Sequence, residues 1–181
     1  MSKIDRRILK SREAIKNAVI QLMSEKNFDD ITIQDISDKA NVSRGTIYLH
    51  YVDKYDLLEK LIEEHINKLR ELCESASNLE YGEANLPWFK YLGNNYLFFS
   101  TMLASKGAPS FRKQFIEFLI EEFTDEVDAI TGVNSDVNKD IILQFIVTSY
   151  VGIVEWWFKN GMPYSPEVMA EQVGKLLERN L

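Results

Sequence analysis

Between Ile31 and Leu57 the chain repeats one arrangement three times: an apolar residue, a capping residue, and a second apolar residue four positions beyond the cap. The groups are Ile31-Thr32 with Ile36, Val42-Ser43 with Ile47, and Val52-Asp53 with Leu57. A short polar side chain at a helix start accepts hydrogen bonds from backbone N–H groups that lack partners within the helix, and the flanking apolar pair closes over the first turn as a staple. Helix starts this close together leave room only for two very short helices, 33–40 and 44–50, ahead of a longer one from Lys54 to Ser75. Asn41 tolerates the left-handed conformation that stops a helix, so Asn41-Val42-Ser43 has the length of the turn in a helix-turn-helix.

The same periodicity runs through the rest of the chain. Ile15, Ala18, Val19, Leu22 and Met23 line one face of a first helix over 10–25, and Leu58, Leu61, Ile62, Leu69 and Leu72 form the inner stripe of the fourth. Ala76 to Leu86, with Gly82 and followed by Pro87, is weakly patterned and reads as a connection between domains. Aromatic-rich helices are expected over 88–104 and 109–131, interrupted at Lys106-Gly107-Ala108-Pro109. A long helix over 136–160 is closed by Asn160-Gly161, and Ser165 with Pro166 opens a last helix over 166–180. The fold class is therefore all-α: a helix-turn-helix domain over 1–53, then a helical regulatory and dimerisation domain over 54–181 with its first helix, 54–75, as connector.

Of the 181 residues, 45% are hydrophobic, enough for a buried core. The N-terminus has no apolar stretch of signal-peptide type and no later segment has eighteen uncharged apolar residues, so a cytoplasmic location and no membrane partner are expected. One cysteine, Cys73, and two histidines are too few donors for an intrachain disulfide or a Cys/His zinc site, and no metal or cofactor is expected. The chain also lacks a glycine-rich phosphate loop, a nucleophile elbow and a metal-binding helix motif; Glu64-His65 has no paired nucleophile and reads as partly exposed surface. An enzyme is not expected.

The net charge of -7 argues at first against a nucleic-acid partner. Its distribution answers this. Residues 1–55 hold ten Lys and Arg against eight Asp and Glu, whereas residues 56–181 hold eleven against twenty. Within the basic part, Arg44 and Lys54 each stand in the first turn of a helix, where the macrodipole disfavours a cation. Gly45, beside Arg44, costs a helix up to about 1 kcal/mol relative to alanine but lets backbone approach a ligand closely. Cations set against the dipole beside a missing side chain point to a surface shaped for phosphates and base edges. The basic arm Lys3, Arg6, Arg7, Lys10 and Arg12 could reach phosphate or the minor groove, or serve only as a solvated tail.

The run from Ile31 to Tyr51, ITIQDISDKANVSRGTIYLHY, continued by Asp53-Lys54 and Asp56-Leu57-Leu58, resembles the DNA-binding signature of the TetR/AcrR family. The resemblance implies Thr32 and Gln34 on phosphates, Ser43 as cap and phosphate ligand, and Arg44 on a base. It further implies close approach at Gly45 and backbone contacts from Thr46, Tyr48, His50 and Lys54. Tyr51 stands where the family usually has phenylalanine, and Leu49 where many members have histidine or tyrosine. The stretch Trp156 to Glu167 is similar to the tail of a Firmicutes-type subgroup that includes dihydroxyacetone kinase operon regulators, in which a partner protein can replace the effector.

In the family the C-terminal helices form the dimer and often enclose an effector. Ile142, Phe145, Ile146, Ser149, Ile153 and Trp156 make an apolar stripe wider than one neighbouring helix needs, and Val173 and Leu176 add a second, so two helices from each chain could form a four-helix interface. Trp88, Tyr91, Phe99, Met102, Phe115 and Phe118 concentrate aromatic bulk suited to an effector pocket or to a plain core. The expectation is a homodimeric, sequence-specific DNA-binding transcriptional regulator, a repressor relieved by a small apolar effector, with a palindromic double-stranded operator and a second copy of itself as partners. An activator, or a regulator controlled by a partner protein, stays open. So does a helical interaction module without DNA binding.

Overall fold

The computed structural model describes residues 3–76, 79–103, 109–128 and 134–180. Among them it has α-helices and one 3₁₀ turn but no strand: α1 (Lys3–Glu25), α2 (Ile33–Ala40), α3 (Arg44–Tyr48), α4 (Lys54–Ala76), α5 (Tyr81–Asn94), α6 (Tyr96–Leu103), α7 (Pro109–Asp128), α8 (Lys139–Lys159) and α9 (Pro166–Glu178), with the 3₁₀ turn at Phe28–Asp30. The all-α expectation holds. Helix α1 packs with α2, α3 and α4 and touches α6, α2 packs on α3, and α5 lies along α9.

Caps explain the first helices. Thr32 accepts from the Asp35 N–H while the Asp35 carboxylate accepts from the Thr32 N–H, a reciprocal pair that opens α2. Lys26 pairs with Asp35 at 2.9 Å and, together with those Thr32 donors, holds its carboxyl down at about 2. Asn41 adopts φ 52° and ψ 47° and ends α2 as expected, while the buried Ser37 hydroxyl donates to the Val42 carbonyl at 2.6 Å and fixes the turn. Ser43 accepts from the Thr46 N–H at 3.1 Å and opens α3.

Two of the three expected staples form, since Ile31, Ile36 and Ile47 are buried and Val42 packs on the same core. The third does not. Val52 is 78% exposed, and the start of α4 is secured by hydrogen bonds instead: Asp53 accepts from the Tyr55 and Asp56 N–H groups, and Asp56 accepts from the Val52 N–H. A polar clasp on both sides of the cap makes the apolar one dispensable.

Four further expectations are corrected. Helix α1 starts at Lys3, so the basic arm is its first turns and not an extended tail. The expected interdomain connection over 76–86 is largely helical, because α5 begins at Tyr81 and runs through Pro87. Burial of Trp88, Phe89 and Leu92, together with packing on α9, outweighs the roughly 3 kcal/mol that an interior proline costs. The boundary in the middle helices falls at Asn95, and the expected interruption at Lys106-Gly107-Ala108 lies outside the described residues. The fourth correction concerns His65, which is core and not surface: its ring stacks on Phe98 at 3.7 Å, Nδ1 shares a hydrogen bond with the Tyr91 hydroxyl at 2.7 Å, and burial lowers its pKa to about 4.

Helix α8 is long and apolar enough to cross a membrane by length and composition. Here one of its faces, with Ile146, Val147, Tyr150, Val151, Val154 and Trp157, is buried in the chain's own core. It ends as the sequence indicates, with Gly161 at φ 71° and the Met162 N–H returning to the Trp157 carbonyl at 2.8 Å.

Candidate nucleic-acid interface

The sequence-predicted contacts lie on α2, α3 and the turn after α3. Thr32, Gln34, Ser43, Arg44, Gly45 and Tyr48 are exposed, and Thr46 and His50 are half-buried. The Ser43 and Thr46 hydroxyls are 2.9 Å apart and hydrogen-bonded to each other, so the start of α3 presents two ordered hydroxyl groups beside Arg44. Gln34 Nε2 donates to Asp38 at 2.8 Å. Arg44 makes no ion pair among the described residues, whereas Lys16, Lys26 and Lys39 are engaged by Glu64, Asp35 and Glu25.

Gly45 is informative through what does not surround it. A Cβ built there would meet only the Ser43 Oγ at 3.6 Å, an ordinary contact, and its backbone is in the normal helical region. No neighbour among the described residues requires glycine here. The cost of glycine in helix stability therefore has no evident return among the described residues.

Lys54 is placed differently from the sequence expectation. Its Nζ donates to the carbonyls of Phe28, Asp29 and Ile31 at 2.8–2.9 Å and lies about 5 Å from the rings of Phe28 and Tyr55. All three ammonium donors are thus directed at the end of the 3₁₀ turn, and none is left over for phosphate. The lysine stands against the dipole of α4 because it ties α4 to the α1–α2 junction. Lys54→Met is expected to lower the stability of the isolated protein by about 1–3 kcal/mol in a denaturant titration. The slope of DNA affinity against salt should stay unchanged; a flattened slope with unchanged stability would return Lys54 to the phosphate contacts.

The two departures from the family pattern also receive a physical reading. Tyr51 is buried, and its hydroxyl has no hydrogen-bond partner among the described residues, so the residue packs as a phenylalanine would. Leu49 is 80% exposed at the end of α3 and offers a protruding apolar group with no hydrogen-bonding capacity.

The expected dimer residues divide into two sets. Ile142, Ile146 and Val173 are buried in the chain's own core and cannot belong to an exposed interface, and Ile153 is half-buried against it. Phe145, Ser149, Trp156 and Leu176 are exposed. With Ile141 and Gly152, the α8 members lie on one face of the helix at successive turns. Alternation of inward and outward apolar faces on one helix is what a stripe read from sequence cannot separate.

The expected pocket residues fall mainly to the core alternative. Phe99, Met102, Phe115 and Phe118 are buried in the chain's own core, where Phe99 and Phe115 pack on Phe111 with ring centroids at 6.1 Å and 5.5 Å, and the Tyr91 hydroxyl is taken by His65. Of that set, Trp88 lines a cavity among the described residues. The cavity, of about 440 Å³, lies between the end of α4, the start of α5, α7 and α8, where Leu119, Phe123 and Tyr150 also face it. Tyr150 donates to Asn85 Oδ1, and Asn85 donates to the Tyr81 carbonyl at 2.6 Å. Asn85 and Tyr150 carried no sequence pattern that would have marked them.

Comparison with known proteins bears on both halves. Residues 15–61 match the family model described as bacterial regulatory proteins of the tetR family, and residues 83–179 match one described as a transcriptional regulator C-terminal region. The chain is 27% identical over 174 residues, or 91% of its length, to the uncharacterized HTH-type transcriptional regulator YxbF of Bacillus subtilis, of which it spans 44%. It is also 27% identical over 177 residues to the "probable acrEF/envCD operon repressor" of Escherichia coli K12, with 86% of this chain and 80% of that protein covered. A TetR transcriptional regulator from Streptococcus agalactiae has the same fold, with a TM-score of 0.70, 27% identity and 96% of each chain covered. With a matching reading head, a C-terminal model that covers more than half its length, and the corresponding architecture, the chain belongs to the TetR family of bacterial transcriptional regulators.

Proposed function

We propose that the protein is a homodimeric repressor that reads a palindromic operator through α3 and releases it when a small molecule fills the cavity beside Trp88. The observation that carries the DNA reading is the pair Arg44–Gly45, which among the described residues is an exposed cation without an ion pair beside a glycine that no neighbour requires. Thr32, Gln34, Ser43, Thr46, Tyr48 and His50 would hold the backbone on either side. Support for repression is the name of the E. coli relative. The second copy would pack on the exposed α8 face, which carries Phe145 and Trp156 with Ser149 and Gly152 between them. Two heads of this kind sit about 34–36 Å apart on successive major grooves. A ligand that favours another spacing weakens binding by shifting the population of conformers.

The test is selection of bound duplexes from a random pool by the purified protein, followed by titration of the selected site. A palindrome should be enriched. Arg44→Ala should cost about 1–3 kcal/mol and relax base choice at one position of each half-site. Gly45→Ala should stabilise the protein slightly, by up to about 1 kcal/mol, and yet weaken operator binding. Failure to enrich any sequence, with a stable helical protein in hand, would favour an interaction module without DNA binding.

A further inference from the structure

The cavity has a strongly one-sided charge. Its lining includes Glu74 and Asp125, which are exposed, and Glu122, which is half-buried; no lysine, arginine or histidine lines it among the described residues. The nearby cation, Arg70, is bound to Glu121 at 2.7 Å and lies over the Phe118 ring. An anionic ligand would also need donors. The Tyr150 O–H is given to Asn85, and an Asn85 N–H to the Tyr81 carbonyl, so the buried polar pair is spent largely within the chain. What remains is carboxylate oxygen beside the aromatic side chains of Trp88, Phe123 and Tyr150, whose faces attract cations.

We propose that the ligand of this cavity is an organic cation, a protonated amine or quaternary ammonium on an apolar body, with Glu122 as its counter-ion and Glu74 and Asp125 drawing it in. The inference rests on the reading of the cavity as the effector site. Burial raises the Glu122 carboxyl above the ordinary carboxylate range, and Glu74 and Glu121 push it the same way against the Cys73 hydrogen bond and the Arg70 charge. A bound cation would relieve that unbalanced acid. Fatty carboxylates and phosphorylated ligands would meet repulsion from three acidic side chains instead.

The experiment uses the full chain and three probes that share a body and differ in head group: 4-phenylbutylamine, 4-phenylbutanol and 4-phenylbutyrate, each titrated calorimetrically at neutral pH. The amine should bind roughly tenfold more tightly than the alcohol, and the carboxylate more weakly than either. Glu122→Gln should remove most of the amine's advantage and leave the alcohol unchanged. Ala84→Trp, which fills the cavity from α5, should abolish binding of all three probes, and Ala84→Leu serves as a milder filler if the tryptophan variant does not fold. If the probes bind, the fillers block them, and the amine has no advantage or keeps it in Glu122→Gln, the cation inference is overturned while the effector site stands. If no probe binds, or if a folded filler variant binds as wild type does, the effector-site reading is overturned and the inference with it.

Discussion

Replacement of Gly152 by arginine is expected to leave a folded helical monomer that no longer holds the operator. A Cβ at Gly152 would meet no heavy atom within 4 Å and the residue is exposed, so among the described residues nothing stands against a side chain starting there. A glycine in the middle of α8 nevertheless costs roughly 0.5–1 kcal/mol relative to alanine. It lies on the same exposed face as Ile141, Phe145, Ser149 and Trp156, with Phe145 60% exposed. Small residues between large apolar ones allow two copies of such a face to approach closely, and an arginine would place two like charges in the seam. A single head then grips a single half-site, and operator affinity should fall at least about 100-fold through loss of bivalency. Sedimentation equilibrium should report a monomer, and circular dichroism a helical content and melting transition of folded protein. A Gly152→Arg protein that remains dimeric and binds the operator like wild type would exclude this face of α8.

The second large effect concerns folding. Gly174 on α9 faces Gly82 on α5 so closely that an added Cβ would lie 2.6 Å from the Gly82 nitrogen and 2.7 Å from its Cα. These are backbone atoms and cannot swing aside, so Gly174→Ala forces α5 and α9 apart. Overpacking of this kind typically costs about 1–3 kcal/mol, and Gly174→Val should exceed that. Gly82 gives the control, because its own Cβ would meet nothing within 4 Å and Gly82→Ala should be tolerated. The contrast between two glycines in mutual contact is measurable by urea unfolding. Equal stability of the Gly174→Ala and Gly82→Ala proteins would mean that the two helices do not cross this closely. The wedge should also disturb the cavity, since Leu177, one turn further along α9, lines it.

Local chemistry was legible wherever a side chain acts on its own backbone. Thr32, Asn41, Ser43, Ser165 and Asn160-Gly161 mark helix ends in the sequence and do so in the structure, because a cap is satisfied within four residues. Features decided by a partner far along the chain were not legible. Lys54 looked like a phosphate ligand because its position opposes the dipole, and only the return of the 3₁₀ turn to within hydrogen-bond distance shows that three carbonyls consume it. Pro87 looked like a boundary because its local cost is real, and packing of α5 on α9 overrides it. Glu64-His65 was one polar pair in sequence, yet His65 is buried among aromatic rings while Glu64 reaches Lys16 in α1.

By itself, then, the sequence determined the helical class, the limits of α2, the start of α3, which ends at Tyr48 and not at the expected residue 50, and the exposed Arg44–Gly45 edge, all of which follow from interactions spanning four residues or fewer. The tertiary structure alone decided which aromatic residues pack on each other and which face a void, which half of the α8 stripe is spent in the chain's own core, and how Lys54 is used. The physical reason is common to these cases: apolar bulk and charge are recorded residue by residue, but whether a group is covered, paired or left facing a cavity depends on which distant segment folds against it.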